Sequence, residues 1–208
     1  MATPITDRPS PDPDHDATAS TAGTVAATNS QVLEKPRFSP AARVAIALLR
    51  VALGFIFLWA FLDKLFGLGY ATPADKGWID GGSPTNGFLS GVKVGPFESF
   101  FNSIAGTWWA NTLFMLGLFA IGTALILGVA MKITMFAGPL LLVMMWAASW
   151  PMARFDSAGD ATRSSNPFLD DHLIYALVII VLALIGAGRV YGLGNWWAKV
   201  TGHNTWLR

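Results

Sequence analysis

The sequence has no cysteine, and only three of its 208 residues are histidines. Without cysteine the chain cannot form a disulfide, a thiolate metal site, an iron–sulfur cluster or a dithiol redox pair. The histidines stand far apart at positions 15, 172 and 203. A haem held between two histidines is therefore not expected, and neither is any other metal site.

Charged residues are also scarce. They make up 13% of the chain, the net charge is +1, and 53% of the residues are hydrophobic. No basic stripe is present, so binding to nucleic acid is not expected. A chain of this length with so few charges is typical of a membrane protein rather than of soluble domains.

One long apolar run dominates the first third of the sequence. Ser39 and Pro40 are suited to the N-cap and first position of a helix, and the residues from Val44 to Leu62 are apolar except for Arg50. At about 1.5 Å per residue this run is roughly 28 Å long, close to the thickness of the hydrocarbon core of a bilayer. The run predicts a membrane-spanning helix with a guanidinium inside it.

Three further apolar runs predict three more spans, so the expected fold is all-α, an integral membrane four-helix transmembrane bundle. Gly117, Gly122 and Gly128 are small residues at which membrane helices could approach closely. The polar residues 1–37 predict a disordered cytoplasmic tail, and residues 38–197 the transmembrane domain. Residues 198–208 predict an interfacial tail that carries tryptophan. The spans are predicted at about 41–65, 110–131, 133–150 and 167–188.

The connection between the first two spans, residues 66–108, is too long to be a simple turn. Its cap and proline signals at Thr72-Pro73 and Ser83-Pro84, and the apolar pattern that follows Pro96, predict short helices. These helices could rest at the membrane interface. Alternatively, the connection could fold as a lid over the mouth of the bundle.

Two basic residues share one face of the first span. At about 100° per residue, Arg50 and Lys64 align with Gly54, Phe57 and Phe61. The Arg50 side chain could extend to the lipid headgroups. Alternatively, it could anchor an anion, a quinone oxygen or helix carbonyl groups.

The predicted topology brings Lys64 to the same membrane depth as Asp171 and His172, at the start of the fourth span. An ammonium and a carboxylate stabilise one another at a partly dry boundary, and His172 could exchange a proton near neutral pH. Arg50, Lys64, Asp171 and His172 are therefore the candidate polar site. The competing interpretation is that Lys64 meets headgroup phosphates and Asp171 serves only the helix dipole.

Aromatic residues in the half of the spans that adjoins this site could stack against a ring such as that of a quinone. The candidates are Trp59, Trp150 and Tyr175. Aromatic residues at this depth also form the ordinary interfacial belt of membrane proteins, so both interpretations stay open.

Three stretches within residues 43–197 form a recognisable set of motifs. They are LRVALGFIFL at 49–58 with DKL at 63–65, NPFLDDH at 166–172 and GAGRVYGLG at 186–194. With these motifs the chain resembles the DoxX-like family of four-helix bacterial membrane proteins. The resemblance implies a four-helix bundle in the bacterial cytoplasmic membrane, and some members of the family are described as the large subunit of a thiosulfate:quinone oxidoreductase.

Two functions follow as hypotheses. The first is a membrane subunit of a quinone-linked oxidoreductase that acts on a small anion such as thiosulfate. The second is non-enzymatic, either a scaffold or assembly subunit or a carrier of small solutes.

The expected partners are the lipid bilayer, a quinone or small anion, and a second protein subunit. Whether the chain is an enzyme stays open, because any electron transfer would need an organic carrier or a partner.

The distribution of basic residues predicts the orientation of the spans. With four spans both termini lie on one side of the membrane, and basic residues are more frequent there, so both termini are expected in the cytoplasm of a multi-pass protein. On that side are Lys35, Arg37, Arg43, Lys132, Arg189, Lys199 and Arg208. On the other are Lys64, Lys76, Lys93, Arg154 and Arg163.

This orientation can be tested with single cysteines, since the chain has none of its own. In intact cells we expect an impermeant thiol reagent to label Ser90→Cys but not Thr201→Cys. Labelling is read from the mass of the purified protein, and permeabilised cells, in which both cysteines should react, are the control. Labelling of position 201 alone would show that the topology is inverted.

Overall fold

The computed structural model describes residues 38–162 and 164–207, and within them the chain is helical without any β-strand. The predicted all-α class is therefore confirmed for this part of the chain. The predicted tail 1–37 lies outside the described residues. The α-helices are α1 (Pro40–Phe66), α2 (Asn86–Leu89), α3 (Glu98–Ile104), α4 (Trp108–Leu127), α5 (Met131–Ser149), α6 (Asp171–Leu184) and α7 (Gly194–Val200). Short 3-10 turns are Trp78–Asp80, Ala187–Arg189 and Thr205–Leu207.

Three helices, α1, α4 and α5, are long and apolar enough to cross a membrane. Helix α6 is apolar but has only 14 residues. At about 1.5 Å per residue it is roughly 21 Å long, less than the ~30 Å of a hydrocarbon core. Helix length and composition therefore support three spans, and the predicted fourth span at 167–188 contains a shorter helix than expected.

The start of α6 differs from the prediction for a local reason. Asn166 accepts hydrogen bonds from the backbone N–H groups of Phe168 and Leu169, which forms a turn before the helix. The N-cap is instead Asp170, whose side chain accepts from the N–H of Leu173. An aspartate at this position satisfies one of the free amide groups of the first turn. The helix therefore begins four residues later than residue 167.

A tight turn joins α4 to α5. Helix α4 ends at Leu127, not at residue 131, because Gly128 takes the left-handed conformation with φ 73° and ψ 33°. Glycine adopts this conformation without the steric cost that a side chain would add. The chain reverses through Val129 and Ala130, and α5 begins at Met131.

Helices α1 and α4 cross at two glycines. A methyl group on Gly122 would lie 2.7 Å from the backbone nitrogen of Leu58, and one on Gly54 would lie 2.9 Å from the carbonyl oxygen of Gly122. These distances are shorter than van der Waals contact, so only hydrogen atoms fit between the two backbones. Close approach at small residues is the usual way in which membrane helices pack.

A single apolar cluster unites α1, α4, α5 and α6. Helix α1 packs mainly on α4, and α5 mainly on α6. The fully buried members of the cluster include Leu125 of α4 and Ile179 and Leu182 of α6. Although α6 is short, its buried apolar residues hold it against the three long helices.

The two ends of these helices carry different connections. Gly128 to Ala130 and the segment 185–194 lie at one end, which we call the Arg50 end. The segments 67–107 and 150–170 lie at the other, which we call the Lys64 end. At the Arg50 end the N–H of Leu193 donates to the carbonyl of Leu127 at 2.8 Å, so the segment after α6 is attached to the last turn of α4.

The close crossing of α1 and α4 gives a test of packing. We expect Gly122→Ala to lower the melting temperature in detergent, because the added methyl group forces the helix backbones apart; overpacking costs about 1–3 kcal/mol. The matched control is Gly87→Ala, since a methyl group there meets no atom within 4 Å. Equal melting temperatures for the two variants would contradict the close crossing.

Candidate functional site

A large cavity extends from the Lys64 end along the helices. Its volume is about 1010 Å³. One wall is the face of α4 from Trp109 to Ile121, and another is the face of α5 from Ala137 to Met145. The twelve residue steps along α4 correspond to about 18 Å, more than half the thickness of a hydrocarbon core. Leu113 and Leu140 line the cavity and are each 63% exposed, so its open side faces the surroundings of the helices, which in a membrane are lipid.

The connection 67–107 covers the end of this cavity. Thr72, Pro73 and the segment 82–89 contribute to its lining. A second buried cluster, formed by Val92, Phe101 and Ala148, packs this connection against the last turns of α5. The connection therefore packs on the helices and closes this end of the cavity.

Basic side chains stand at the covered end of the cavity. Lys64 and Lys76 both line it, and no aspartate or glutamate does so among the described residues. Lys64 is partly buried, whereas Lys76 is exposed. The ion pairs that the described part of the chain forms involve Lys93 and His172, not Lys64. The cavity therefore combines apolar walls with a positively charged end.

Asp63, next to Lys64 in the sequence, is only 2% exposed. Its two carboxylate oxygens accept hydrogen bonds from the backbone N–H groups of Tyr70 at 3.2 Å and Ala71 at 3.1 Å. These bonds satisfy the buried charge and turn the chain back towards the helix that it has just left. The sequence analysis assigned no role to Asp63. A carboxylate in the last turn of a helix is repelled by the negative end of the helix dipole. This unfavourable position was a signal that Asp63 has a specific hydrogen-bond partner.

Asn111 is a second polar anchor that the sequence analysis missed. It is buried in the first turn of α4, and its Oδ1 accepts from the backbone N–H of Thr85 at 3.0 Å and from the Thr85 hydroxyl at 2.7 Å. Its Nδ2 donates to Ser83 Oγ and to the carbonyl of Gly106. Buried polar groups with satisfied hydrogen bonds fix a single conformation. Asn111 therefore attaches the middle of the connection to the start of α4.

The segment 150–170 is joined to the connection 67–107 by a partly exposed ion pair. Lys93 Nζ lies 3.6 Å from Asp156 Oδ2. The pKa of Asp156 is lowered, chiefly by the hydrogen bond from the backbone N–H of Asp160 and further by the N–H of Ala158 and by Lys93. A lowered pKa keeps the carboxylate charged, and this stabilisation is present above the unfolded pKa and is lost as the pH falls through the folded value.

Arg50 lies at the opposite end and does not extend to the surface, because it is 1% exposed. Its Nη2 donates to the carbonyl of Tyr191 at 3.4 Å, while Nε and Nη1 have no hydrogen-bond partner in the described protein. A methyl group on Gly128 or Gly192 would overlap Nη1. The guanidinium is therefore packed against the backbone of two loops.

No carboxylate of the described residues forms an ion pair with Arg50. The carbonyl end of α4, which terminates at Gly128, and the carbonyl of Tyr191 supply negative partial charge instead. A cation at a helix C-terminus gains about 0.3–1 kcal/mol when exposed and up to about 2 kcal/mol when partly buried. The structure therefore does not match extension of Arg50 to the headgroups; one backbone carbonyl accepts from it, and the role of anchor for an anion, a quinone oxygen or carbonyl groups stays a prediction.

Tyr191 has an unusual backbone where it meets Arg50. Its φ is 49°, which is uncommon for a residue other than glycine. Arg43 lies over its ring, with the guanidinium carbon 5.0 Å from the ring centroid. This cation–π contact and the bond to Arg50 together hold Tyr191 in a conformation that costs about 1–3 kcal/mol.

Asp170, Asp171 and His172 cluster at the start of α6. Nδ1 of His172 is 2.8 Å from Asp170 and 3.4 Å from Asp171. One donor atom of each residue lies within 4.8 Å of the others, a spacing that could hold a metal ion, although the sequence predicted no metal site. Asp170 already caps the helix and Asp171 is exposed, so local interactions account for the arrangement. Neither Asp171 nor His172 lines the cavity that contains Lys64, and their shared pocket with Lys64 stays a prediction.

The aromatic residues proposed to stack on a ring are not part of the cavity lining. Trp59 makes an edge contact with Tyr70, Trp150 packs on Trp146, and Tyr175 packs on the apolar cluster between the helices. The aromatic residues that do line the cavity are Phe88, Phe101, Trp109 and Phe114. Helical periodicity shows which residues share a face of one helix, but it does not show which other helices pack against that face.

Comparison of the chain with protein-family models, with curated proteins and with solved structures finds no match.

The contact of Arg50 with Gly128 can be tested against a matched glycine. Gly128 and Gly186 have nearly the same left-handed φ, 73° and 72°, but a methyl group on Gly186 meets no atom within 4 Å. Alanine in the left-handed conformation costs about 1–2 kcal/mol at either position, so the backbone strain is the same in both variants. We expect Gly128→Ala to lower the stability by about 1–3 kcal/mol more than Gly186→Ala, because it displaces the guanidinium.

Stability is measured by thermal unfolding in detergent, and Arg50→Lys and Arg50→Gln complete the series. Lysine lacks the planar fork of arginine, so we expect both variants to be less stable than the wild type. If both variants unfold at the wild-type temperature, Arg50 does not anchor the two loops.

Proposed function

We propose that this chain is a DoxX-like, multi-pass protein of the bacterial cytoplasmic membrane that serves as the membrane subunit of a quinone-linked oxidoreductase and holds the quinone in the cavity between α4 and α5. The observation that carries the proposal is the cavity itself, with apolar walls, one open side and Lys64 at its covered end. Sites for small molecules are commonly concave and apolar, with a few polar groups that fix orientation.

The proposal includes a fourth crossing formed by α6. Its residues Ala176, Ile179 and Leu182 belong to the same buried cluster as the three long helices. The apolar sequence continues to Ile185, and the 3-10 turn Ala187–Arg189 extends the segment further. Four crossings would leave both termini on the cytoplasmic side.

A quinone matches the cavity in shape and in chemistry. Its isoprenoid tail would lie between α4 and α5 and leave through the open side past Leu113 and Leu140, which are exposed. Its ring carbonyl groups are hydrogen-bond acceptors, and Lys64 can donate to one of them. Trp109 and Phe114 offer ring faces along the wall.

The electrons would have to come from another molecule. The chain has no cysteine, so it cannot supply the thiolate ligands of an iron–sulfur cluster. A second subunit, or a small anion such as thiosulfate bound near Lys64 and Lys76, would deliver electrons to the quinone. The role of this chain would be to bind and orient the carrier.

Quinone that co-purifies with the protein tests the proposal. The full-length protein is solubilised in a mild detergent, and extracted quinone is quantified per protein. We expect Ala120→Trp to lower the retained quinone at least tenfold, about 1.4 kcal/mol, because the indole fills the cavity that Ala120 lines. The control Leu116→Trp places the same side chain on the exposed surface of α4, outside the lining.

Retention of quinone by the wild type and by Leu116→Trp, with loss in Ala120→Trp, would support the proposal. A wild type that carries no quinone and takes up none when it is added would overturn it. A partner protein that co-purifies without quinone would favour the scaffold function instead.

A further inference from the structure

We infer that the same cavity also binds an anionic single-chain amphiphile, with an anionic oxygen head at Lys64 and Lys76 and an apolar chain between α4 and α5. This inference rests on the proposed use of the cavity as a site for a lipid-soluble molecule, and it names a second class of ligand that would compete with the quinone. The ligand class follows from the charges and the hydrogen-bond donors at the covered end.

The charge at this end is only partly offset by the protein: the neighbouring Asp63 attracts the Lys64 ammonium, but no carboxylate of the described residues forms an ion pair with it. Two lysines and no carboxylate line the cavity among the described residues. The nearest acidic residue in sequence, Asp63, uses both oxygens to accept from the backbone N–H groups of Tyr70 and Ala71. A partly buried ammonium at the edge of a membrane is costly unless an anion joins it. An anionic head would supply that partner.

Two of the neutral polar residues at this end, Ser83 and Thr85, are already engaged with Asn111. The hydroxyl groups of Ser83 and Thr85 donate to Oδ1 of Asn111. Thr85 Oγ1 also accepts from the backbone N–H of Gly106, at 3.2 Å. These groups are therefore poorly placed to donate to a ligand. The cationic groups of Lys64 and Lys76 stay available, and a cation discriminates strongly between an anionic oxygen and a neutral one.

The apolar part of the cavity accommodates a chain rather than a compact ion. The lining reaches from Trp109 to Ile121 along α4, about 18 Å at 1.5 Å per residue. Met144 and Met145 line the opposite wall, and methionine side chains adapt to flexible apolar ligands. A free inorganic anion would contact only the charged end and would leave these walls unused.

The connection 67–107 fixes this arrangement in place. Asp63 holds its first residues and Asn111 holds its middle, so the residues that carry the head-group contacts are attached at two points. The head would enter sideways between α4 and α5 and stop beneath the covered end. An amphiphile dissolved in the membrane reaches the site by this route without crossing the connection.

Two photoactivatable probes of equal chain length test the inference, a long-chain fatty acid and the corresponding fatty alcohol. Both are added to the full-length protein in lipid nanodiscs, and labelled peptides are mapped by mass spectrometry. We expect the acid to label the cavity faces of α4 and α5 about tenfold more than the alcohol. Lys64→Gln should reduce acid labelling to the level of the alcohol, while Lys64→Arg should retain most of it.

Lys199→Gln is the control for charge, because Lys199 lies in α7, outside the cavity lining, and it should leave labelling unchanged. Ala120→Trp should reduce labelling of these faces by both probes. Should Lys64→Gln fail to fold, the wild type alone decides the question. Its preference for the acid over the alcohol should disappear when the pH is lowered enough to protonate the free carboxylate.

The outcomes separate this inference from the proposed function. Equal labelling by acid and alcohol, or acid labelling that is unaffected by Lys64→Gln, overturns the inference and leaves the quinone site untouched. Acid labelling that depends on Lys64 in a protein that binds no quinone supports the inference and rejects the oxidoreductase. A cavity that takes neither probe nor quinone rejects both.

Discussion

The burial of one guanidinium constrains the whole Arg50 end of the molecule. Arg50 has no carboxylate partner among the described residues, and the Tyr191 carbonyl and the end of α4 lie against it instead. Backbone can approach a guanidinium this closely only where no side chain intervenes, and glycine stands at positions 128 and 192. Tyr191, whose carbonyl accepts from Arg50, has an unusual φ of 49° at the same place.

The Lys64 end meets a different requirement, which is to hold a polar connection over apolar helices. Two buried polar side chains do so, Asp63 at the end of α1 and Asn111 at the start of α4. Because they bind backbone and hydroxyl groups of the connection, they attach it at its start and middle without filling the space beneath it. A cavity with apolar walls and a basic end results, and both proposed ligands depend on that combination.

The helical face drawn from the periodicity of α1 is largely recovered in the structure. Arg50, Gly54 and Phe57 are all buried. Asp63 lies off that face, and its burial arises only when the chain after α1 turns back over it. The predicted stacking residues Trp59 and Trp150 lie outside the cavity lining for a related reason: periodicity identifies a face of a helix but not the helix that packs against it.

The sequence by itself determined the all-α class and the three long apolar helices, because the length of an apolar run is a local property of the chain, and Ser39 with Pro40 also marked the start of α1. It predicted a fourth span at about 167–188, where the structure has the shorter helix α6, and it assigned no conformation to the segment 189–194. The tertiary structure alone decided the contacts of Arg50, the anchoring roles of Asp63 and Asn111, and the cavity. Each of these joins residues far apart in the chain, and such meetings depend on how the whole set of helices packs rather than on any single segment.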